Sequence, residues 1–398
     1  MAILKKISIV FQWFPYLLSF LIPKDNKVWI FGAWGGKGFS DNSKFLFLHV
    51  LENKNDIKAY WIVKDDALFK ELINLNLPVL KATSLKGLWY QARAGVLFYS
   101  HSVQWDFFAP IINFRVKRIQ LWHGLPIKKI GYDSSAEQAQ RRSLKRFVKY
   151  IFFPFLYDRH DLVISCSDYH KNIFISAFDV DADNVVVTGY PRYDFLFDQA
   201  NNGFENKKTN GSYNILYLPT FRGEVGSDFR VFKDSGMDFI RMSDFLSENN
   251  AYFWIKLHPV QKLSYDDFEI IKKHPRIKVL SPTVDVMESL INCDIAVIDY
   301  SSVYFDLLFQ EKPFIMAPFD FDDYMKNERE LYSDYSSLSP RPIARTWSSV
   351  YEHLSLFMNG EDFINSTYLE KQKQFHEYID NQSSKRVIDL VLSKFNIK

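Results

Sequence analysis

An α/β chain of two domains with parallel sheets is what this sequence predicts. Three observations carry that expectation. Short apolar runs alternate with helix-like runs through both halves of the chain, the signature of a parallel sheet covered by helices. A polar stretch at 199–212, QANNGFENKKTNGS, separates the halves and has the composition of a linker. Segments rich in His, Lys, Arg or Ser stand just past several apolar runs. In an open parallel sheet those carboxyl-end loops are where ligands bind.

The strands of the first half are expected at 28–31, 59–63, 78–80, 96–99, 118–121, 162–165 and 185–188. Helices are expected at 43–51, 67–75, 85–94 and 170–177. Beyond the linker, 213–218, 252–256, 278–280, 295–298 and 314–317 read as strands, and the chain is mostly helical after 350. The resulting organisation is a membrane-interface segment (1–24), an N-terminal α/β domain (25–200), a C-terminal α/β domain (213–348) and C-terminal helices (349–398). Tandem domains of this kind make a cleft, and clefts commonly hold ligands.

Length and composition narrow the function. A chain of 398 residues with 47% hydrophobic content can fill two cores. A net charge of +2 gives no signal for nucleic acid. Cys166 and Cys293 lie far apart without metal-ligand spacing, which suits buried fillers in a reduced, cytoplasmic chain. There is no P-loop and no dinucleotide fingerprint. Asp320, Asp322 and Asp323 cluster in one segment. A solvated acidic loop is preferred there over a divalent cation site, and no metal or cofactor is expected.

Two segments point to a membrane surface. Residues 7–22 are nearly all apolar and flanked by Lys5, Lys6 and Lys24. The run is short for a span, carries Gln12 and Pro15, and lacks a small-residue cleavage site, so an interfacial anchor is expected. The alternative is a helix docked on the protein's own core. Further on, Arg141, Arg142, Lys145, Arg146 and Lys149 line one helix face, and Leu144, Phe147, Val148 and Ile151 line the other. A basic amphipathic helix of this kind suits an anionic bilayer. Its alternative is a surface helix with the apolar side on the core.

Four motifs carry the chemistry. In WHGLPIKK, His123 is a candidate proton carrier. Gly124 permits close approach, and Lys128 and Lys129 can neutralise phosphate. In LPTFR, Thr220 and Arg222 offer a hydroxyl and a bidentate clamp. In KLHP, Pro259 holds His258 extended at a strand end. In DYSS, Asp299 ends a buried strand, and Ser301 and Ser302 start a helix, where N–H groups are capped or bind phosphate. Arg192 of GYPRYD is a further phosphate contact or an ion-pair partner of Asp194.

The order WHGLPIKK, GYPRYD, LPTFR, KLHP and DIAVIDYSSVYFDLLFQEKPFI resembles the CDP-glycerol glycerophosphotransferase family, over about 118–335. The resemblance implies a GT-B fold of two Rossmann-like domains, 25–200 for acceptor and membrane and 213–348 for the CDP donor, and attachment to the cytoplasmic membrane face without a spanning helix. It implies transfer of a polyol phosphate from CDP-glycerol or a related CDP-polyol to a lipid-linked or polymeric acceptor, releasing CMP, in teichoic acid or capsule synthesis. His123 and His258 would be the functional histidines. Ser301 and Ser302, with Thr220, Arg222 and Asp299, would hold donor phosphate. Leu125 departs from the usual HGTP pattern, and 330–335 matches the expected aromatic segment loosely. The competing function is a GT-B glycosyltransferase using a nucleotide sugar for surface polysaccharide.

Overall fold

The computed structural model describes residues 11–138, 144–201, 211–220, 228–258, 261–281, 284–327 and 330–397. The fold is α/β with parallel sheets. The chain divides into two compact units. The first holds the chain through Gly124, Ile130–Phe195 and the segment from Asp380 onward; the second holds Leu125–Lys129 and Leu196–Ile379.

In the first unit, strands β1 (Asp25–Gly32), β2 (Lys58–Val63), β3 (Val79–Lys81), β4 (Ala94–Tyr99), β5 (Lys117–Gln120), β6 (Leu162–Ser165) and β7 (Val185–Val187) form one sheet. Its order is β3-β2-β1-β4-β5-β6-β7, with parallel pairing throughout. All six residues of β4 are buried, as continuous apolar runs in a doubly covered sheet require. The order reverses between β1 and β4, so the loops after these two strands flank the switch point, where such sheets bind ligands. Helix Asp41–Asn53 buries Leu46, Phe47 and Val50 against the sheet. Ser84 and Ser167 cap the helices that follow them, accepting from Gly87 N and His170 N.

In the second unit, β8 (Tyr213–Leu218), β10 (Ala251–Ile255), β12 (Ile277–Val279), β13 (Ile295–Ile298) and β14 (Phe314–Met316) form a sheet of order β12-β10-β8-β13-β14. These pairs are also parallel. Its switch point lies between β8 and β13. Strands β9 (Asp228–Phe229) and β11 (Lys262–Leu263) pair separately. Trp347, Phe253 and Tyr217 sit at the centre of this unit's core.

The expected strands match these positions to within a few residues. The division between the units falls at Phe195 and Leu196, ahead of the expected linker 199–212. Helix Pro191–Asn201 runs through Gln199, and 202–210 lie outside the described residues. The C-terminal helical stretch is divided, since the segment from Asp380 belongs to the first unit. There Asp194 accepts from Ser383 N and Ser384 N, each at 2.7 Å, and so caps helix Ser383–Lys394.

No helix among the described residues is long and apolar enough to cross a membrane. Of the run 7–22, residues 7–10 lie outside the described residues. The rest forms helix Trp13–Leu18 and a turn. Tyr16 is buried, with its ring 5.6 Å from Phe155, while Phe14 is 69% and Leu21 79% exposed. Core docking therefore accounts for only one side of this segment. Arg141 and Arg142 lie outside the described residues. Lys145, Arg146 and Lys149 fall in helix Leu144–Phe152. Leu144, Phe147 and Ile151 are 77%, 62% and 56% exposed, so the apolar side of that helix is not buried on the core.

Candidate functional site

His123 follows β5 in the first unit. Its Nδ1 lies 3.0 Å from the carbonyl oxygen of Ser100. A carbonyl only accepts, so Nδ1 carries the proton and Nε2 is the ring's acceptor. The loop behind it is fixed by residues distant in sequence. Asn42 Nδ2 donates to Leu121 O at 3.0 Å and Trp122 O at 2.9 Å. Arg192 Nη1 donates to His123 O at 2.8 Å. Asn42 Oδ1 accepts from Arg192 N at 3.3 Å. Trp122 has φ of +54°, a conformation costly for a bulky residue that persists only when neighbours hold it. Asn42 and Arg192 supply that hold.

Arg192 takes part in holding this loop. It is buried at 2% exposure, with the rings of Tyr190 and Tyr193 beside its guanidinium. A group so placed positions the His123 loop. Asp194, its other expected partner, is occupied as the cap of the C-terminal helix.

Aromatic rings surround His123. His101 stacks on it at 4.3 Å and 5°, Trp122 lies at 4.3 Å, and Trp34 at 6.2 Å. Burial, with His123 nearby, pushes the His101 pKa down to about 2, so His101 is neutral at any physiological pH.

In the second unit, DYSS ends β13 at the switch point. Asp299 turns its carboxylate onto the loop after β8. It accepts from Thr220 N at 2.9 Å, from Thr220 Oγ1, and from Tyr300 N at 2.6 Å. Tyr335 Oη donates to the Asp299 carbonyl at 2.8 Å. Through these bonds Asp299 organises this edge. Ser301 Oγ accepts from Val303 N at 3.4 Å. Ser302 is the residue before helix Val303–Phe309 and makes no side-chain cap. Arg222 and Pro259 lie outside the described residues.

Leu125–Lys129, the tail of WHGLPIKK, belongs to this unit. Tyr332 N donates to Ile127 O at 3.0 Å and Lys129 N to Glu330 O at 2.7 Å. Lys129 Nζ pairs with Glu330 at 2.5 Å, which neutralises much of its charge. Lys128 Nζ lies 5.1 Å from the centre of the Tyr324 ring, which stacks at 3.6 Å on Tyr300 of DYSS. His258 follows β10. Burial, then the Lys128 charge, holds its pKa below the ordinary histidine value. The structure thus brings Lys128, His258, Thr220 and DYSS onto one unit. Asp320, from the acidic cluster, accepts from Tyr300 Oη at 3.2 Å. Among the described residues no group of three or more His, Cys, Asp or Glu is placed to hold a metal ion.

Asn42 and His101 escaped the sequence reading. Asn42 looks like an ordinary first-turn helix residue, and His101 belongs to no recognised motif. The one available signal for His101 was its place just past the apolar run 96–99.

Parallel sheets with histidine, lysine and hydroxyl groups at their carboxyl edges make an α/β protein of the kind that binds ligands there. Residues 15–393 match the CDP-glycerol:poly(glycerophosphate) glycerophosphotransferase family, and the chain belongs to it. It is a transferase of that type, acting in polyol-phosphate transfer for cell-wall polymer synthesis. A teichoic acid poly(glycerol phosphate) polymerase of Bacillus spizizenii is 28% identical over 94% of this chain and 93% of its own length. A teichoic acid glycerol-phosphate transferase of Staphylococcus aureus is 26% identical over 93% and 94%. A variant of the wall teichoic acid polymerase TagF shares the fold with a TM-score of 0.74 at 20% identity, covering 99% of this chain and 96% of that one.

Proposed function

We propose that this protein transfers glycerol phosphate, or another polyol phosphate, from a CDP-activated donor to a hydroxyl of a lipid-linked or polymeric acceptor, in teichoic acid or capsule synthesis. The carrying observation is His123, held with Nε2 as acceptor at a carboxyl edge, in a chain that matches the family from residue 15 to 393. Nε2 takes the acceptor hydroxyl proton as that oxygen attacks the polyol-bearing phosphorus. The bond from this phosphorus to the bridging oxygen breaks, and CMP leaves with the electron pair. Phosphoryl transfer depends mainly on positioning and charge stabilisation. Lys128, Thr220, Ser301, Ser302 and Arg222 supply these for the donor. His258, whose pKa burial and the Lys128 charge hold below the ordinary histidine value, protonates or hydrogen-bonds the leaving CMP phosphate. In this reading the units serve as a GT-B pair, the first for acceptor and the second for donor. Incubation with CDP-glycerol, CDP-ribitol and UDP-sugars, read by mass spectrometry of products, tests the assignment. Polyol-phosphate addition with CMP release is expected; sugar transfer from a UDP donor alone would replace it with a glycosyltransferase.

The enzyme sits peripherally on the cytoplasmic face of the membrane in this proposal. The exposed apolar sides of helices Trp13–Leu18 and Leu144–Phe152 support it. The turn after the second helix carries Phe155, on which Trp13 and Tyr16 of the first pack. Each basic residue near an anionic surface adds about 1 kcal/mol, and buried apolar side chains add a salt-resistant part. Replacing Arg141, Arg142, Lys145, Arg146 and Lys149 with Gln should reduce co-sedimentation with anionic liposomes much more than with neutral ones. A variant that binds each kind of vesicle as well as the parent does would leave this helix without a membrane role.

A further inference from the structure

The loop after β1 and the helix after β4 build an aromatic surface that the proposed chemistry has not used. Trp105, in helix Val103–Asp106, is 49% exposed. An exposed tryptophan is ordinarily mobile, yet this one is framed on several sides. Gly35 has φ of +66°, and a Cβ there would lie 2.7 Å from Trp105 Nε1. Only glycine lets the loop and the indole ring lie this close. Gly35 N donates to Asp106 Oδ1 at 2.8 Å. Lys64 Nζ donates to Trp105 O at 2.6 Å, and Trp105 N to Ser102 Oγ at 3.1 Å. The ring is then continued toward His123. Trp105 lies edge-on to His101 at 4.6 Å, and His101 stacks on His123 at 4.3 Å. Trp34 spans the tract, 6.4 Å from Trp105, 4.7 Å from His101 and 6.2 Å from His123. Lys37 stands exposed on the same loop. All of this lies at the switch point of the first sheet, where such folds bind ligands.

From this arrangement we infer that Trp105 and Trp34 form an acceptor platform, binding the polyhydroxylated unit next to the reacting hydroxyl, with Lys37 and Lys64 facing its phosphate. The inference rests on His123 being the base, which fixes where the hydroxyl must sit. One sugar or polyol unit spans several ångströms, so the unit behind the hydroxyl falls over the adjacent rings. The C–H face of such a unit packs on an indole's electron-rich face, and its hydroxyls stay in water. An indole has this amphipathic character, and a ring already fixed in place loses little entropy on binding.

The test is acceptor binding by calorimetry in the full-length chain, using a synthetic glycerol phosphate trimer and, separately, a phosphorylated disaccharide. Each is titrated into His123→Ala protein, with and without Trp105→Ala, so that no turnover is needed. Trp105→Ala should weaken at least one probe roughly tenfold, and Trp105→Phe should restore part of that loss. The probe affected identifies the unit bound. Trp89→Ala, at an equally exposed tryptophan elsewhere in the unit, should change neither. In otherwise parental enzyme, Trp105→Ala should raise the acceptor KM and leave the donor KM alone. Unchanged affinity for both probes in Trp105→Ala would overturn the platform. The base assignment fails separately, by undiminished turnover of His123→Ala.

Discussion

His123→Ala should lower turnover by about 10²–10⁴, the usual contribution of a positioned general base. The magnitude follows from how completely the ring is arranged for that task. Ser100 O fixes the tautomer, Arg192 holds the residue's own carbonyl, and Asn42 holds the two carbonyls before it. Such a base is already oriented when the acceptor arrives. The ring is only partly buried, so its removal should leave the melting temperature close to the parent's and the donor KM little changed. Initial rates with CDP-glycerol and thermal melts measure both quantities. Near-parental turnover in a folded variant would remove His123 from the mechanism.

The second large effect is expected at Asp299. Its carboxylate is 2% exposed and holds Thr220 and Tyr300 by their N–H groups. Asp299→Ala orphans both donors, at about 1–3 kcal/mol each, so the melting temperature should fall clearly. Donor affinity should fall with it, because Thr220, Tyr300 and the Ser301–Ser302 turn lose their common anchor. Asp299→Asn keeps one acceptor oxygen and should lie between. Ser302→Ala provides the contrast: it should weaken the donor without lowering the melting temperature, since Ser302 makes no cap. Parental stability and donor affinity in Asp299→Ala would show that the loop after β8 holds itself.

The sequence by itself determined the strands, their parallel character and the places where chemistry gathers. Those properties are local: an apolar run such as 295–298 must be buried on both faces, and a polar segment directly after it must emerge at the carboxyl edge. The same local reading supplied His123, His258 and the DYSS turn, and the family to which they belong. Only the tertiary structure decided what each polar side chain touches. Asn42 meets Trp122 across 80 residues, Arg192 meets His123 across 69, and Asp194 meets Ser383 across 189. Strand order sets such meetings, and strand order has no periodicity to read along the chain. That Arg192 bonds to the His123 carbonyl and Asp299 to two backbone N–H groups is likewise visible only in the folded chain. Trp105 shows the same division: its sequence neighbours say nothing of Gly35, and only the pairing of β1 with β4 brings the two together.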